Sequence, residues 1–266
     1  MAQRMSELFN LTGKTILITG STHSLGSAMA DACAAAGATV VVHGRNEDSA
    51  AMRAETLIKA GFKASHVAFD ISDLTAVAAA IPTIVKRHGS IWGLINNAGM
   101  TLNNHLFQDN VEAYEKILRA HLITPFLLTQ AAATEMKKNP GTDKGRILNI
   151  ASTLISSPRV GFSNYASAKM AVVGFTRAVG ADLGADGIRV NCIAPGPFTT
   201  ENNRKTLNDP VLKSRFENRI PAARWGEPEE LGGPAVFFMS PASSYVNSQT
   251  LFVDGGLTHF LQHWKT

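Results

Sequence analysis

The chain has 266 residues, of which 45% are hydrophobic and 17% charged, and its formal net charge is +4. This length suits one α/β domain covering residues 1–266, and the composition supplies an ordinary core. Lys and Arg are nowhere clustered with aromatic residues, so we expect a site for an anionic cofactor and no nucleic-acid partner.

Cysteines, histidines and hydropathy narrow the class further. Cys33 and Cys192 lie far apart in apolar contexts, which is typical of buried thiols in a reducing compartment. The eight histidines lack metal-ligand spacing, so no metal site is predicted. Residues 1–10 hold no signal-peptide core, and the uncharged stretch 231–253 is interrupted by prolines and polar residues. We therefore expect a soluble, cytoplasmic protein without a membrane partner.

Short β-branched runs alternate with Ala-rich helical patterns along the chain. Strands are predicted near residues 14–19, 38–43, 66–70, 91–96, 145–151, 188–193 and 249–253. Helices are predicted near residues 25–36, 46–60, 73–88, 110–138, 163–184 and 228–239. This alternation predicts a Rossmann-type, doubly wound parallel sheet of seven strands with helices on both faces. Ligands of such sheets bind at the carboxyl ends of the strands.

The first predicted strand leads into TGSTHSLG, residues 19–26. Gly20 permits a tight turn and Gly26 lets the next helix pack against the strand, while Ser24 stands where a further glycine is expected. A strand, a glycine turn and a helix start together predict a pyrophosphate site. Ser24 is strained if its position needs a positive φ, although its hydroxyl can donate to a phosphate. An ordinary strand-to-helix turn is the alternative.

The second predicted strand ends in VVVHGRN, residues 40–46. An NAD site has Asp or Glu at this tip, whereas this chain has Arg45. A guanidinium there can pair with a 2′-phosphate, and His23 can add a second donor. The tip therefore predicts NADP(H) in preference to NAD(H). A solvated surface arginine is the alternative.

Tyr165 and Lys169 are four residues apart at the start of a predicted helix, which places both on one face. A nearby ammonium is expected to lower the pKa of the phenol, which then exchanges a proton with a ketone oxygen. Ser152 ends the preceding strand and is expected to hydrogen-bond the same oxygen.

These motifs resemble the short-chain dehydrogenase/reductase family over nearly the whole chain. TGSTHSLG stands at the family's TGxxxGxG, NNAG at 96–99 matches without change, and APGPFTT at 194–200 matches its nicotinamide loop. The motifs together predict the cofactor-binding residues Gly20, Ser21, His23, Ser24, Leu25, Gly26, Arg45, Asn46, Asp70, Ile71, Asn97, Ala98, Gly99, Tyr165, Lys169, Pro195, Gly196, Phe198 and Thr200. The resemblance also implies a homotetramer that pairs the helices at 110–138 and 163–184.

His121 departs from the family, which usually has a catalytic Asn there to position a water beside the lysine. Pro125 has no N–H to give the His121 carbonyl, so that carbonyl is free to hold a water. The imidazole is expected to titrate near neutrality and to serve as a fourth catalytic group. Alternatively, it only fills a helix kink.

The function predicted is an NADP(H)-dependent interconversion of a secondary alcohol and a ketone, and the C-terminal half resembles the branch acting on sugar acids such as gluconate. Met100, Leu154, Phe198 and a lid at 201–220 are expected to form the substrate pocket. A carrier-linked β-ketoacyl reductase is one alternative, for which the basic lid residues are Arg204, Lys205, Lys213 and Arg215. A catalytically silent dinucleotide-binding sensor or scaffold is the other.

Overall fold

The computed structural model describes residues 5–259, and its centre is a single parallel sheet of seven strands. The strands are β1 (Thr15–Ile18), β2 (Thr39–Gly44), β3 (Lys63–Ala68), β4 (Gly93–Asn96), β5 (Gly145–Ile150), β6 (Ile188–Pro195) and β7 (Thr250–Val253). They lie in the order β3-β2-β1-β4-β5-β6-β7, which confirms the predicted fold class. Because the strand order reverses beside β1, the ligand crevice of this topology lies at the carboxyl ends of β1 and β4.

Helices connect and cover the strands. They are α1 (Met5–Leu8), α2 (Ser24–Ala35), α3 (Glu47–Lys59), α4 (Leu74–His88), α5 (Val111–Leu118), α6 (Thr124–Met136), α7 (Ser163–Leu183), α8 (Arg204–Leu207), α9 (Pro210–Glu217) and α10 (Gly232–Met239). Side-chain caps set where several of them begin: the Asp73 carboxylate accepts from the Thr75 and Ala76 amides at the start of α4.

Hydrophobic residues on alternate strand positions build a core on each face of the sheet. Ile16 and Ile18 of β1 pack into one cluster, whereas Leu17 between them packs into the other. Both faces are therefore buried, which explains why the strands read as continuous apolar runs.

The structure differs from the sequence prediction in several places, of which three bear on the site or the sheet. β3 begins at Lys63, before the predicted 66, because it is an edge strand paired only with β2 and tolerates polar residues. The predicted helix 110–138 is interrupted by a π-helix at Arg119–Ile123, between α5 and α6. The segment 201–220 contains α8 and α9. None of the helices within residues 5–259 combines the length and apolar character needed to cross a bilayer.

Candidate active site

The glycine loop between β1 and α2 has the backbone geometry of a phosphate cradle. Gly20 has a φ of 64°, and a Cβ added to Gly26 would lie 2.2 Å from the Gly20 carbonyl oxygen. Ser24 adopts a φ of 52°, so the position does require the left-handed region that a serine adopts only with strain. Both glycines thus act as expected, and Ser24 carries the expected strain.

A buried histidine that sequence reasoning did not single out holds this loop. The Gly20 amide donates to Nδ1 of His43 at 2.9 Å, and Nε2 of the same ring lies 3.1 Å from the Phe69 carbonyl oxygen. Burial lowers the pKa of His43 to about 4, so the ring is neutral and joins the ends of three strands. Its place at the tip of β2, in the otherwise apolar run VVV, was the available sequence signal.

The NNAG motif forms the floor beside the glycine loop. The Thr19 hydroxyl accepts from the amides of Asn97 and Ala98 at 2.9 and 3.0 Å, and donates to the Ile95 carbonyl at 3.2 Å. The Asn97 amide group donates to the carbonyls of Thr19 and Gly20. The predicted residues Asn97 and Ala98 therefore position the loop through the Thr19 hydroxyl and the backbone.

Arg45 lies exposed at the end of β2, on the same edge of the sheet as Asp70. Hydrogen bonds from the Ser72 amide and hydroxyl lower the pKa of Asp70, and the charge of Arg45 adds to this. Within residues 5–259 no acidic group forms an ion pair with Arg45, and no carboxylate takes the place expected of an NAD site. His23 is also exposed and bonds the Thr22 hydroxyl.

Three further predicted cofactor residues make hydrogen bonds within the chain. The Asn46 side chain accepts from the Ser49 amide at 2.9 Å and caps α3. The Ser21 hydroxyl donates to the Ile18 carbonyl at 2.7 Å, and the Ile71 carbonyl accepts from the Thr124 hydroxyl. Leu25, at the start of α2, packs against the core.

Ser152, Tyr165 and Lys169 come together at the carboxyl end of β5, as predicted. Ser152 follows the strand, and its hydroxyl accepts from the Leu154 amide at 3.2 Å and lies beside the Tyr165 phenol, whose pKa it lowers. The Lys169 ammonium donates to the Ile150 carbonyl at 2.5 Å and lies 5.5 Å from the centre of the Tyr165 ring. A phenol, a hydroxyl and an ammonium thus share one crevice.

Burial sets the protonation of this trio. It raises the pKa of Tyr165 to about 12, opposed by the hydrogen bond with Ser152, and lowers the pKa of Lys169 to about 8. The expected lowering of the phenol's pKa by Lys169 is therefore wrong here, because burial raises that pKa and the ammonium is directed at the Ile150 carbonyl. At neutral pH the phenol is protonated.

His121 lies in the π-helix, a feature frequent at functional sites. Its Nε2 is 2.7 Å from the Met100 carbonyl oxygen, and its ring meets Tyr165 edge-on at 5.2 Å. A Cβ added to Gly99 would lie 2.1 Å from the imidazole, so this ring requires glycine there. Burial, together with the charge of Lys169, lowers the pKa of His121 to about 3. The expectation that it titrates near neutrality is wrong, because a ring only 4% exposed stays neutral.

The loop after β6 approaches the sheet closely at Gly196, where an added Cβ would lie 2.7 Å from the Asp254 Cα. Pro195 ends β6, and the Thr200 hydroxyl accepts from the Asn203 side chain at 3.2 Å. Phe198 is only 3% exposed and packs against Gly226. The expectation that its ring lines the substrate pocket is therefore wrong, since the ring belongs to the core.

The predicted basic lid cluster is partly neutralised. Arg204 pairs with Glu201 at 3.0 Å, and Lys213 lies 3.7 Å from Glu217. Lys205 and Arg215 are exposed. Across residues 5–259, no three His, Cys, Asp or Glu side chains converge in a way that could hold a metal ion.

Comparison with known proteins places these features in context. A family model described as enoyl-(acyl carrier protein) reductase, of the short-chain dehydrogenase type, matches residues 20–258. The chain is 36% identical to the gluconate 5-dehydrogenase of Gluconobacter oxydans, covering 95% of this chain and 97% of that one. It is 34% identical to a 3-oxoacyl-[acyl-carrier-protein] reductase of Vibrio harveyi, over 93% and 98%.

A solved structure is similar along its whole length. The gluconate 5-dehydrogenase of Burkholderia cenocepacia, in complex with NADP and tartrate, superposes with a TM-score of 0.92 at 38% identity. The match covers 97% of this chain and 100% of that chain.

Proposed function

Because the chain belongs to the short-chain dehydrogenase/reductase family, as an oxidoreductase acting on a secondary alcohol and its ketone, we propose that it interconverts a sugar acid and its keto form with NADP(H). The observation that carries the proposal is the convergence of Ser152, Tyr165 and Lys169 at the edge of the sheet where the glycine loop begins. The relatives acting on gluconate or its keto forms support the substrate class.

The residues present fit a phosphorylated dinucleotide. Gly26 leaves no space for a side chain beside the Gly20 carbonyl, so backbone can approach a pyrophosphate there. Arg45 is exposed and unpaired by acids within the described residues, which favours NADP(H) over NAD(H). The NADP bound to the Burkholderia relative supports the same choice. The nicotinamide, when bound, supplies or accepts the hydride.

The chain's own groups handle the proton. A Tyr165 phenol with a pKa of about 12 is protonated at neutral pH, which is the form that donates to a ketone oxygen as it gains negative charge. In the reverse direction the tyrosinate accepts the alcohol proton, and the Lys169 charge stabilises that anion. The Ser152 hydroxyl holds the substrate oxygen beside the phenol. The neutral His121 ring hydrogen-bonds the Met100 backbone.

A cytoplasmic homotetramer is part of the same proposal. α5, α6 and α7 expose apolar side chains, with Val111 73%, Phe126 44% and Met170 50% exposed. Such a surface is typical of an interface between subunits. The free, buried thiols Cys33 and Cys192 fit a reducing compartment.

A carrier-linked β-ketoacyl reductase is the second candidate. The relative from Vibrio harveyi is named as such a reductase, and the cations Lys205 and Arg215 are exposed on the lid. The silent-scaffold alternative is disfavoured, because the protonated phenol, the hydroxyl and the ammonium together form a working acid–base site.

The test measures turnover of the purified protein with NADPH or NADH on 5-keto-D-gluconate and on a β-ketoacyl thioester. We expect turnover of the keto acid with NADPH, and a loss of about 100- to 10,000-fold in kcat for Tyr165→Phe with cofactor affinity retained. Turnover confined to the thioester would replace the proposal with the second candidate. Full activity of Tyr165→Phe would refute the assigned chemistry.

A further inference from the structure

Arg159 is an exposed arginine on the loop that joins Ser152 to α7. Its guanidinium lies 4.3 Å from the centre of the Phe162 ring and 5.8 Å from that of Phe216. Phe162 belongs to the same loop, whereas Phe216 belongs to α9 in the segment 201–220. The cation therefore lies where the loop before α7 meets the lid segment, and two aromatic rings hold it.

The Arg159 guanidinium contacts aromatic rings and, within the described residues, no anionic group. Across residues 5–259, Arg159 forms no ion pair and its N–H donors make no hydrogen bond. Partial burial lowers its pKa, which means that the charge has already lost some of its hydration. A guanidinium offers five donors in a plane, a geometry that matches a carboxylate. Arg159 also lines a groove of about 390 Å³, so there is room beside it for a ligand.

The loop before α7 sets the position of Arg159 relative to the Tyr165 phenol. The Phe162 ring, which contacts the guanidinium, lies 6.3 Å from the Tyr165 ring, so Arg159 and the phenol are neighbours of the same aromatic side chain. Asn164 donates to the Asp109 carboxylate at 2.8 Å, and this bond fastens the end of the loop. Arg159 is therefore held near the phenol without contacting it.

Three other cations near the site have partners. Lys169 donates to the Ile150 carbonyl, and Arg204 and Lys213 pair with glutamates. In a sugar acid the carboxylate lies at the end of the carbon chain remote from a keto group held by Ser152 and Tyr165. A cation without an anionic partner, next to a ring that neighbours the phenol, is placed to meet such a carboxylate.

We propose that Arg159 binds the carboxylate of the substrate and thereby selects sugar acids over neutral ketones. This inference rests on the proposed function and adds a specificity-determining residue to it. A charge-assisted, bidentate contact accounts for the preference, since an uncharged substrate makes only neutral hydrogen bonds there.

The test compares 5-keto-D-gluconate with its amide, which has the same carbon chain without the charge, at saturating NADPH. We expect Arg159→Met to raise KM for the acid about 10- to 100-fold and to leave KM for the amide nearly unchanged. Arg159→Lys keeps the charge and should recover part of the affinity for the acid. Arg87→Met, which removes an exposed arginine at the far end of α4 that donates to the His66 carbonyl, is the distant control and should change neither KM.

Each other outcome has a distinct meaning. An equal rise in KM for acid and amide would mean that Arg159 only fastens the lid to the loop, and would overturn the inference alone. So would an unchanged KM for the acid, or a wild-type enzyme that takes acid and amide equally well. A wild-type enzyme that reduces neither compound would overturn the proposed function and this inference together.

Discussion

The floor beneath the proposed cofactor site and the mouth of the proposed substrate site are built in opposite ways. The floor consists of buried polar groups whose hydrogen bonds are made within the chain, such as Thr19, His43 and Asn97. The mouth, formed by the loop before α7 and by α9, presents half-buried rings and, within the described residues, a cation with no anionic partner.

This difference separates what the two regions can do. A floor in which an added methyl group would collide with backbone holds one geometry, and suits a ligand part common to many enzymes. A mouth of surface side chains can change its residues at little cost in stability, and such positions usually set substrate preference. Changes in the floor should therefore affect stability and cofactor affinity, whereas changes in the mouth should affect KM for the substrate.

Low pH should reduce the stability of the floor, and this is the largest effect that we expect. His43 and His121 are buried and neutral, with pKa values lowered to about 4 and about 3, whereas in the unfolded chain each takes up a proton near pH 6.5. Since the unfolded state binds more protons, stability falls as the pH drops below 6.5. The loss should be about 2 kcal/mol per histidine by pH 5.

Urea unfolding at pH 7 and pH 5 measures this loss. His43→Asn and His121→Asn should each reduce it, because each removes one titrating group. The exposed Glu230, whose pKa a hydrogen bond from Arg224 lowers to about 2, affects only a lower pH range. Equal unfolding free energies at both pH values would contradict the assignment of buried, neutral histidines.

Gly26→Ala tests the close packing of the floor. The new methyl group would lie 2.2 Å from the Gly20 carbonyl oxygen, so backbone must shift, and we expect a loss of about 1–3 kcal/mol in stability together with weaker NADPH binding. Gly233→Ala in α10 is the control, because an added methyl group there meets nothing within 4 Å. Thermal unfolding and NADPH titration should separate the two variants, and similar behaviour of both would refute a tightly packed floor.

Ser24→Gly should have the smallest effect and the opposite sign. Glycine adopts the observed φ of 52° without strain, so the variant should gain up to about 1 kcal/mol in stability, less what glycine costs in unfolded-chain entropy. Weaker NADPH binding in this variant would show that the serine hydroxyl contacts a phosphate. A loss of stability would show that the hydroxyl stabilises the loop by more than the strain costs.

The parts of the candidate site whose placement the sequence predicted depend on local spacing. Tyr165 and Lys169 share a helix face because they are four residues apart, and Ser152 ends the strand that leads to them. Gly20 and Gly26 were assigned because a strand-to-helix turn needs glycine at those points. Each inference spans a few residues, over which backbone geometry alone decides the result.

The parts predicted wrongly depend on surroundings that come from distant segments. The pKa values of Tyr165 and His121 follow from burial, which no local pattern reports. The Phe198 ring was assigned to the pocket, but it fills the space above Gly226. No sequence motif includes Arg159. That it lies against aromatic rings and not against an acid is seen only in the folded structure, where the loop meets α9.

By itself, therefore, the sequence determined the parallel sheet, the glycine turn and the grouping of the proposed catalytic residues, because hydrophobic period and residue spacing act over short stretches of chain. The tertiary structure decided which of these groups are charged, which rings pack inward, and that Arg159 lies against aromatic rings instead of an acid. Those properties depend on desolvation and on neighbours far away in the sequence, so they exist only once the elements have packed.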